Sequence, residues 1–337
     1  MPHNIGEMFY SGKLPWHKLG TKLEQHATAE EAIQQGGLDW EVELIPVTTN
    51  EQPPSPVRHR MAVVRRDRPA GHPGRVVGVV HRNFEPLQNK RGIEIFDKIV
   101  GHGERVYHTG GYLGDGERVW LLAKLPKEIR LNGHDVLEPY LLFANSHDGS
   151  ISVDIRLTTI RVVCQNTLSW ALQERKAGSK VFKAAHNTAD LATLEAGAKE
   201  FFKFSMAQCD QAEALFKRLN AKRCLDDEFK KFLLHVMPDP KAPAAKPGSS
   251  TFKAWLTRTE TRKNERGQVL QIHRDGIPER QIPPAESTWW GALNSFTAWV
   301  DHVQKTQSDR YAHALLGSGD TLKSQVLELV KKAAAVG

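Results

Sequence analysis

Residues 143–168 read Phe143-Ala-Asn-Ser-His-Asp-Gly-Ser-Ile-Ser-Val-Asp-Ile-Arg-Leu-Thr-Thr-Ile-Arg-Val-Val-Cys-Gln-Asn-Thr-Leu168. Asn145 to Ser150 is a turn by composition, because Asn, Asp and Gly accept positive φ and Ser bonds its own backbone. Ile151, Val153, Ile155 and Leu157 then alternate with Ser152, Asp154, Arg156 and Thr158, the period of a half-buried strand. At Thr158-Thr159 the spacing changes. Ile160, Val163, Cys164, Thr167, Leu168 and Leu172 share one face of a helix, and either threonine is a natural N-cap. The stretch therefore predicts a turn, a strand and a helix. A helix start carries free N–H groups and a partial positive charge. Placed beside Arg156 and Arg161, it suits an anion such as phosphate.

On the N-terminal side the pattern is mixed. Thr28, with Glu31 three residues on, reads as a capping box that starts a helix over 28–35, and Gly36-Gly37 ends it. Trp40, Val42, Leu44 and Pro46 alternate with Glu41, Glu43 and Ile45, a strand imperfect at Ile45. Met61–Val64 and Val76–Val80 predict a hairpin with an arginine-rich tip, the intervening Pro69–Gly74 being loop. Ile93, Phe96 and Val100 place a helix over 88–101. Asp115-Gly116 is a hairpin turn between 106–113 and 118–125, and 136–143 reads as an inner strand. Beyond about residue 187 the spacing turns helical, with Leu191, Leu194, Ala198, Phe201, Phe202, Met206, Ala212 and Phe216 over 189–219. Residues 238–250 are a Pro/Ala/Lys-rich linker. Residues 251–285 read as polar, basic and irregular, and two helices close the chain near 286–306 and 320–335. The expected fold class is α+β: an antiparallel β-rich N-terminal half with packed helices, then a helical C-terminal half. The expected division is a core domain over 1–180, a helical segment over 181–237, a linker and basic segment over 238–285, and terminal helices over 286–337.

The 337 residues carry a formal charge of +7. Residues 1–50 hold three Lys/Arg against seven Asp/Glu, whereas 51–100 hold ten against five. The excess there is nearly all arginine, whose planar fork bonds two phosphate oxygens at once. Three cysteines without close pairs argue against a disulfide framework and fit a reducing, cytoplasmic setting. No apolar run approaches the roughly 20 residues of a membrane span, so no membrane partner is expected. The first residues do not read as a signal peptide.

The Asn145–Ser150 turn and Thr-x-x-Arg-Val-Val-Cys-x-Asn-Thr-Leu over 158–168 resemble the signature of a phage- and plasmid-borne family catalogued as domain of unknown function 932. Trp16-His17-x-Leu19-Gly20, Val80–Asn89, Gly114–Pro126 and the tail Trp289–Val330 are similar too. The family has no established activity to carry over, and the resemblance implies a protein of mobile elements. By layout alone, the order of helix, hairpins and helix is similar to single-strand annealing proteins of the Rad-fifty-two type, although no diagnostic motif of that group is present.

Catalysis is not the expected role. Cys164 sits on the apolar side of the predicted helix and reads as a core thiol, and His147-Asp148 lies in a turn. No histidine pair has metal-site spacing, no P-loop occurs, and Gly110-Gly111 and Gly114-x-Gly116 are hairpin glycines, so no catalytic residue, metal or cofactor is assigned. Trp40, Trp120, Trp170 and the Trp289-Trp290 pair read as core. The expected function is DNA binding, of single strands in recombination or replication. The contacts are Arg58, Arg60, Arg65, Arg66, Arg68, Arg156, Arg161, Arg175 and Lys176, with affinity mainly electrostatic. Exposed strand edges make a homo-oligomer plausible. The alternatives are an interaction protein that blocks a host defence factor and a nucleic-acid-processing enzyme using His147 and Asp148.

Overall fold

The computed structural model describes residues 4–12, 19–101, 104, 106–132, 135–161, 167–169, 182–187, 190, 192–193, 197–236, 260–263, 269–272, 288–298 and 318–335. Strands and helices are both present, and the helices concentrate in the C-terminal half, as an α+β reading requires. The chain divides into two compact units. One comprises 1–125, 140–157 and 174–206, and the other 126–139, 158–173 and 207–337.

The first unit is built on an antiparallel sheet with one parallel edge. β1 (Ile5–Ser11), β2 (Thr21–Leu23), β6 (Tyr107–Leu113), β7 (Arg118–Lys124), β9 (Asp135–Ser146) and β10 (Val153–Arg161) run in the order β10-β9-β7-β6-β1-β2. β12 (Phe182–Ala184) pairs with the start of β10. β1 and β2 are parallel neighbours. Val119 to Ala123 of β7 are buried without a break, which marks a strand covered on both faces. Against this sheet lies α2 (Asn89–Val100), whose Phe96 ring sits 5.6 Å from Phe143 and 5.9 Å from Tyr107. Burial of such a side chain is worth about 2–3 kcal/mol. α1 (Ala29–Gln35) starts at the expected capping box: Glu31 N–H donates to Thr28 Oγ1 and Thr28 N–H donates to Glu31 Oε2. A second, three-stranded antiparallel sheet has the order β3 (Val42–Thr48), β4 (Pro56–Arg65), β5 (Val76–His81).

The predicted helix after Thr158 does not form. β10 runs on through Thr158, Thr159 and Ile160 to Arg161, and Thr158, Thr159 and Ile160 pair with Ser169, Leu168 and Thr167 of β11 (Thr167–Ser169). The physical reason is burial on both faces. Thr158 and Thr159 are adjacent and both buried, so alternation ends without the strand ending, and the β-branched run keeps its extended preference. Cys164 and Trp170 lie outside the described residues.

In the second unit β8 (Ile129–Asn132) pairs with the start of β9. α3 (Ala198–Ala221), α4 (Asp226–Val236), α5 (Trp289–Ala298) and α6 (Ser318–Ala335) supply most of its apolar interior. Trp290 packs 4.6 Å from Phe216, and Trp289 packs 5.4 Å from Phe232, the anchoring role expected of this pair. Cys209 and Cys224 are buried free thiols, and burial pushes the Cys209 thiol up to about 11. The segment expected to be irregular contains a short antiparallel hairpin, β13 (Glu260–Lys263) with β14 (Val269–Ile272). The expected linker over 238–250 lies outside the described residues, and none of the described helices is long and apolar enough to cross a membrane.

Candidate functional site

The Asn145–Ser150 turn is a docking element. Ser146 Oγ accepts from Ile151 N–H and donates to its carbonyl, Asp148 Oδ1 accepts from Ser150 N–H, and Gly149 takes φ +73°. β5 crosses this turn so closely that a Cβ at Gly78 would stand 2.5 Å from Asp148 Cα. His147 points into the interior under Trp40, with ring centroids 5.2 Å apart. Asn89 Nδ2 donates to the Leu38 and Trp40 carbonyls, which turns Asn89 Oδ1 toward His147. His147 Nε2 therefore donates to it at 2.9 Å. Nδ1 has no hydrogen-bond partner among the described residues. Burial, then the nearby His186 and Arg65, lower the His147 pKa to about 3. A neutral imidazole committed in this way is a structural residue, and the enzyme reading loses the base it would need.

Four of the nine predicted phosphate contacts, Arg65, Arg66, Arg68 and Arg156, already lie beside carboxylates. Arg65 is 4% exposed. Its guanidinium lies 4.1 Å over the Trp40 ring and 5.3 Å from that of Tyr112. It donates to both Asp67 carboxylate oxygens and to the Asp115 carbonyl. Burial opposes its charge, but the Asp67 and Tyr112 interactions outweigh that, so its pKa rises and that of Asp67 falls. Arg66 pairs with Glu41 at 3.0 Å and lies 3.8 Å from Glu43. Arg68 pairs with Asp115 at 2.8 Å, and Arg75 lies 3.7 Å from Glu43. The arginine-rich tip is thus largely neutralised. Arg156 lies mid-strand with Nε 3.7 Å from Asp154. Arg161 ends β10, and the helix start expected to join it to Arg156 at an anion site is absent. Arg175 and Lys176 lie outside the described residues.

The remaining two predicted residues, Arg58 and Arg60, stand elsewhere on β4. Pro46 of β3 faces Met61, but Thr48 faces Pro56, so two steps on β3 oppose five on β4. Val57-Arg58-His59-Arg60 stand opposite the single Val47, a three-residue excess that forms a bulge, and all four are exposed. Bulges re-aim side chains. Here His59 adopts φ +60°, a conformation costly for a residue with a Cβ. Its ring lies parallel to that of His81, with centroids 5.8 Å apart and 12° between planes. Arg82 N–H donates to the His59 carbonyl at 3.1 Å, and Arg60 is the register partner of His81. Asn83 N–H donates to His81 Nδ1, so the neutral ring carries its proton on Nε2. Arg58, Arg60 and Arg82 are exposed, and none of them has an ion-pair partner among the described residues. The arrangement offers three uncompensated cations around two stacked, exposed rings, suited to an anion that also carries a flat face.

The family described as Domain of unknown function (DUF932) matches residues 76–317. The chain belongs to the DUF932 family. Inside the DUF932 match lie β5, Asn89 and the Asn145–Ser150 turn, together with His81 and Arg82; the bulge itself precedes it. No curated protein and no solved structure matches the sequence.

Two other clusters of this DUF932 chain bring polar side chains together. Ser11 Oγ is 2.5 Å from His26 Nδ1, the contact of a nucleophile and its base. Ser11 is 1% exposed, however, and its oxygen also lies 3.2 Å from the His108 carbonyl, so the pair serves packing. A cavity of about 590 Å³ between α1 and α2 is lined by Glu30, Asp39, Glu94, Asp97, Lys90 and Lys98. Its carboxylates outnumber its lysines, and Asp97 accepts from Tyr107 OH at 3.0 Å. That lining repels an oligonucleotide. Among the described residues no group of His, Cys, Asp and Glu has the geometry of a metal site. Nothing in the sequence marks a three-residue excess; the adjacency of Arg58, His59 and Arg60 is the one trace the bulge leaves there.

Proposed function

We propose that this chain is a DNA-binding protein of a mobile element that takes single strands in recombination or replication, and that the β4 bulge is where it holds them. The observation carrying this reading is the exposed group Arg58, Arg60 and Arg82 around the His59–His81 stack, without carboxylate partners among the described residues. Cations beside exposed ring faces are the elements of sequence-tolerant single-strand binding, in which phosphates take the charges and bases take the rings. Affinity is then largely electrostatic and falls with salt. The mobile-element setting rests on the family resemblance alone. Rings or filaments on single-stranded DNA in electron micrographs would favour the annealing form of the reading. The direct test is a fluorescence-anisotropy titration of a labelled single-stranded oligonucleotide at low salt. Saturable binding is expected, and none at micromolar protein refutes the proposal.

A further inference from the structure

The outward face of the β3-β4-β5 sheet is continuous with the bulge. Register partners in an antiparallel pair share a face, so the pairings arrange this face in rows. Arg60 stands beside His81, then Ile45, Ala62 and Val79 form a row, then Glu43, Val64 and Val76. Ile45 is 39% exposed, Val79 53% and Val76 50%. They are large apolar side chains on the outside of the sheet, on either side of the central Ala62 and Val64, which are buried at 8% and 0% exposure, and the other face of the sheet holds the buried Val42, Val63 and Val80. The break in alternation at Ile45 is thus the trace of a strand that is apolar on its outer side too. Rows two residues apart are about 7 Å from one another and neighbouring strands nearly 5 Å, so the two apolar rows cover about 7 Å by 10 Å. One end meets the uncompensated Arg60, with Arg58 and Arg82 nearby. The other end is closed by Glu43, already engaged by Arg66 and Arg75.

We infer that this face is a platform for unpaired nucleobases, so that the protein distinguishes single strands from duplex by contact with the base faces. The inference rests on the proposed DNA-binding reading and adds to it the part of the ligand that is recognised. Charge complementarity and continuity select the occupant. Arg58, Arg60 and Arg82 call for a polyanion at one end, and Ile45 and Val79 call for an apolar surface directly beside it. A single strand presents both, whereas a duplex presents its phosphates and hides its base faces in the stack. Sequence preference is weak, because every base has such a face.

The test uses full-length protein and three probes of one length: an intact single strand, the same strand with abasic sites throughout, and a blunt duplex. The wild type binds the intact strand about tenfold more tightly than the abasic strand or the duplex, the effect expected of burying on the order of 50 Å² of apolar surface between a base and Ile45 and Val79. The double substitution Ile45→Ser, Val79→Ser sits at exposed positions and leaves the circular dichroism spectrum unchanged. It lowers affinity for the intact strand to that for the abasic strand while leaving the abasic affinity as it was. Equal binding of intact and abasic strands by the wild type overturns the platform, and so does a double variant that retains the preference. Either result leaves DNA binding standing if Arg58→Ala, Arg60→Ala, Arg82→Ala still abolishes capture of both strands. Failure of the wild type to bind any probe overturns the platform and the DNA-binding reading together. A double variant that changes oligomeric state and not affinity assigns the face to a second copy of the chain and overturns the inference.

Discussion

Acidification should weaken this fold through one buried ring. His147 is neutral in the folded state because its environment refuses the proton: Nε2–H is spent on Asn89, and a second proton on Nδ1 would create a buried cation near Arg65. Its pKa is lowered from 6.5 to about 3. Above pH 6.5 the folded and unfolded chains bind this proton equally little. As the pH falls below 6.5 the unfolded chain takes up a proton that the folded chain rejects, so stability declines, and the decline continues to about pH 3. Each pH unit in that window is worth about 1.4 kcal/mol, so the whole span amounts to about 5 kcal/mol, with about 3 kcal/mol lost by pH 4.5. His186, lowered by burial, adds loss of the same sign, and Asp67 adds more only at lower pH. The assay is denaturant unfolding at pH 7 and 4.5, followed by tryptophan fluorescence, for the wild type and His147→Gln. The variant cannot titrate at this position and should lose about 3 kcal/mol less across the interval. Parallel losses in the two proteins would refute the assignment of His147 as a buried neutral ring.

Other consequences can be measured with the same methods. Arg65→Ala removes the cation over Trp40 and strands Asp67 and the Asp115 carbonyl; it should cost about 3 kcal/mol in unfolding experiments, with single-strand affinity per folded molecule unchanged. Gly78→Val forces a side chain against the backbone of Asp148, so a loss of about 2–3 kcal/mol is expected, and an unchanged midpoint would show that β5 does not lie against the turn. Cys209, buried with its thiol pKa pushed up to about 11, should react with a maleimide only in denaturant.

The features legible from sequence are those whose partners are close along the chain. The Thr28–Glu31 capping box, the Asp115-Gly116 hairpin and the α2 face of Ile93, Phe96 and Val100 each follow from residues within a dozen positions. The strand through Thr158 and Thr159 is not legible from spacing, because periodicity distinguishes a helix from a strand only when one strand face is polar, and here adjacent residues are both buried. The arginines were misjudged for a related reason. Arg66 is neutralised by Glu41, 25 positions away, and Arg65 is held by the Asp115 carbonyl, 50 positions away. Composition registers an arginine cluster, but pairing across two sheets decides which of its members remain available. Of the nine residues assigned to DNA from sequence, Arg58 and Arg60 are left exposed without a described ion-pair partner, and Arg82 joins them only through its N–H bond to the His59 carbonyl.

That redistribution of charge is the centre of the account, and a salt titration addresses it most directly. With a labelled single strand, each phosphate neutralised contributes about −0.7 to the slope of log affinity against log salt. Three bulge arginines therefore contribute about −2. The wild type should show at least this slope, and Arg58→Ala, Arg60→Ala, Arg82→Ala should lose about two units of it together with most of its affinity. If the triple variant keeps the wild-type slope while Arg66→Ala, Arg68→Ala loses it, the strand is held at the hairpin tip and the bulge is not the site.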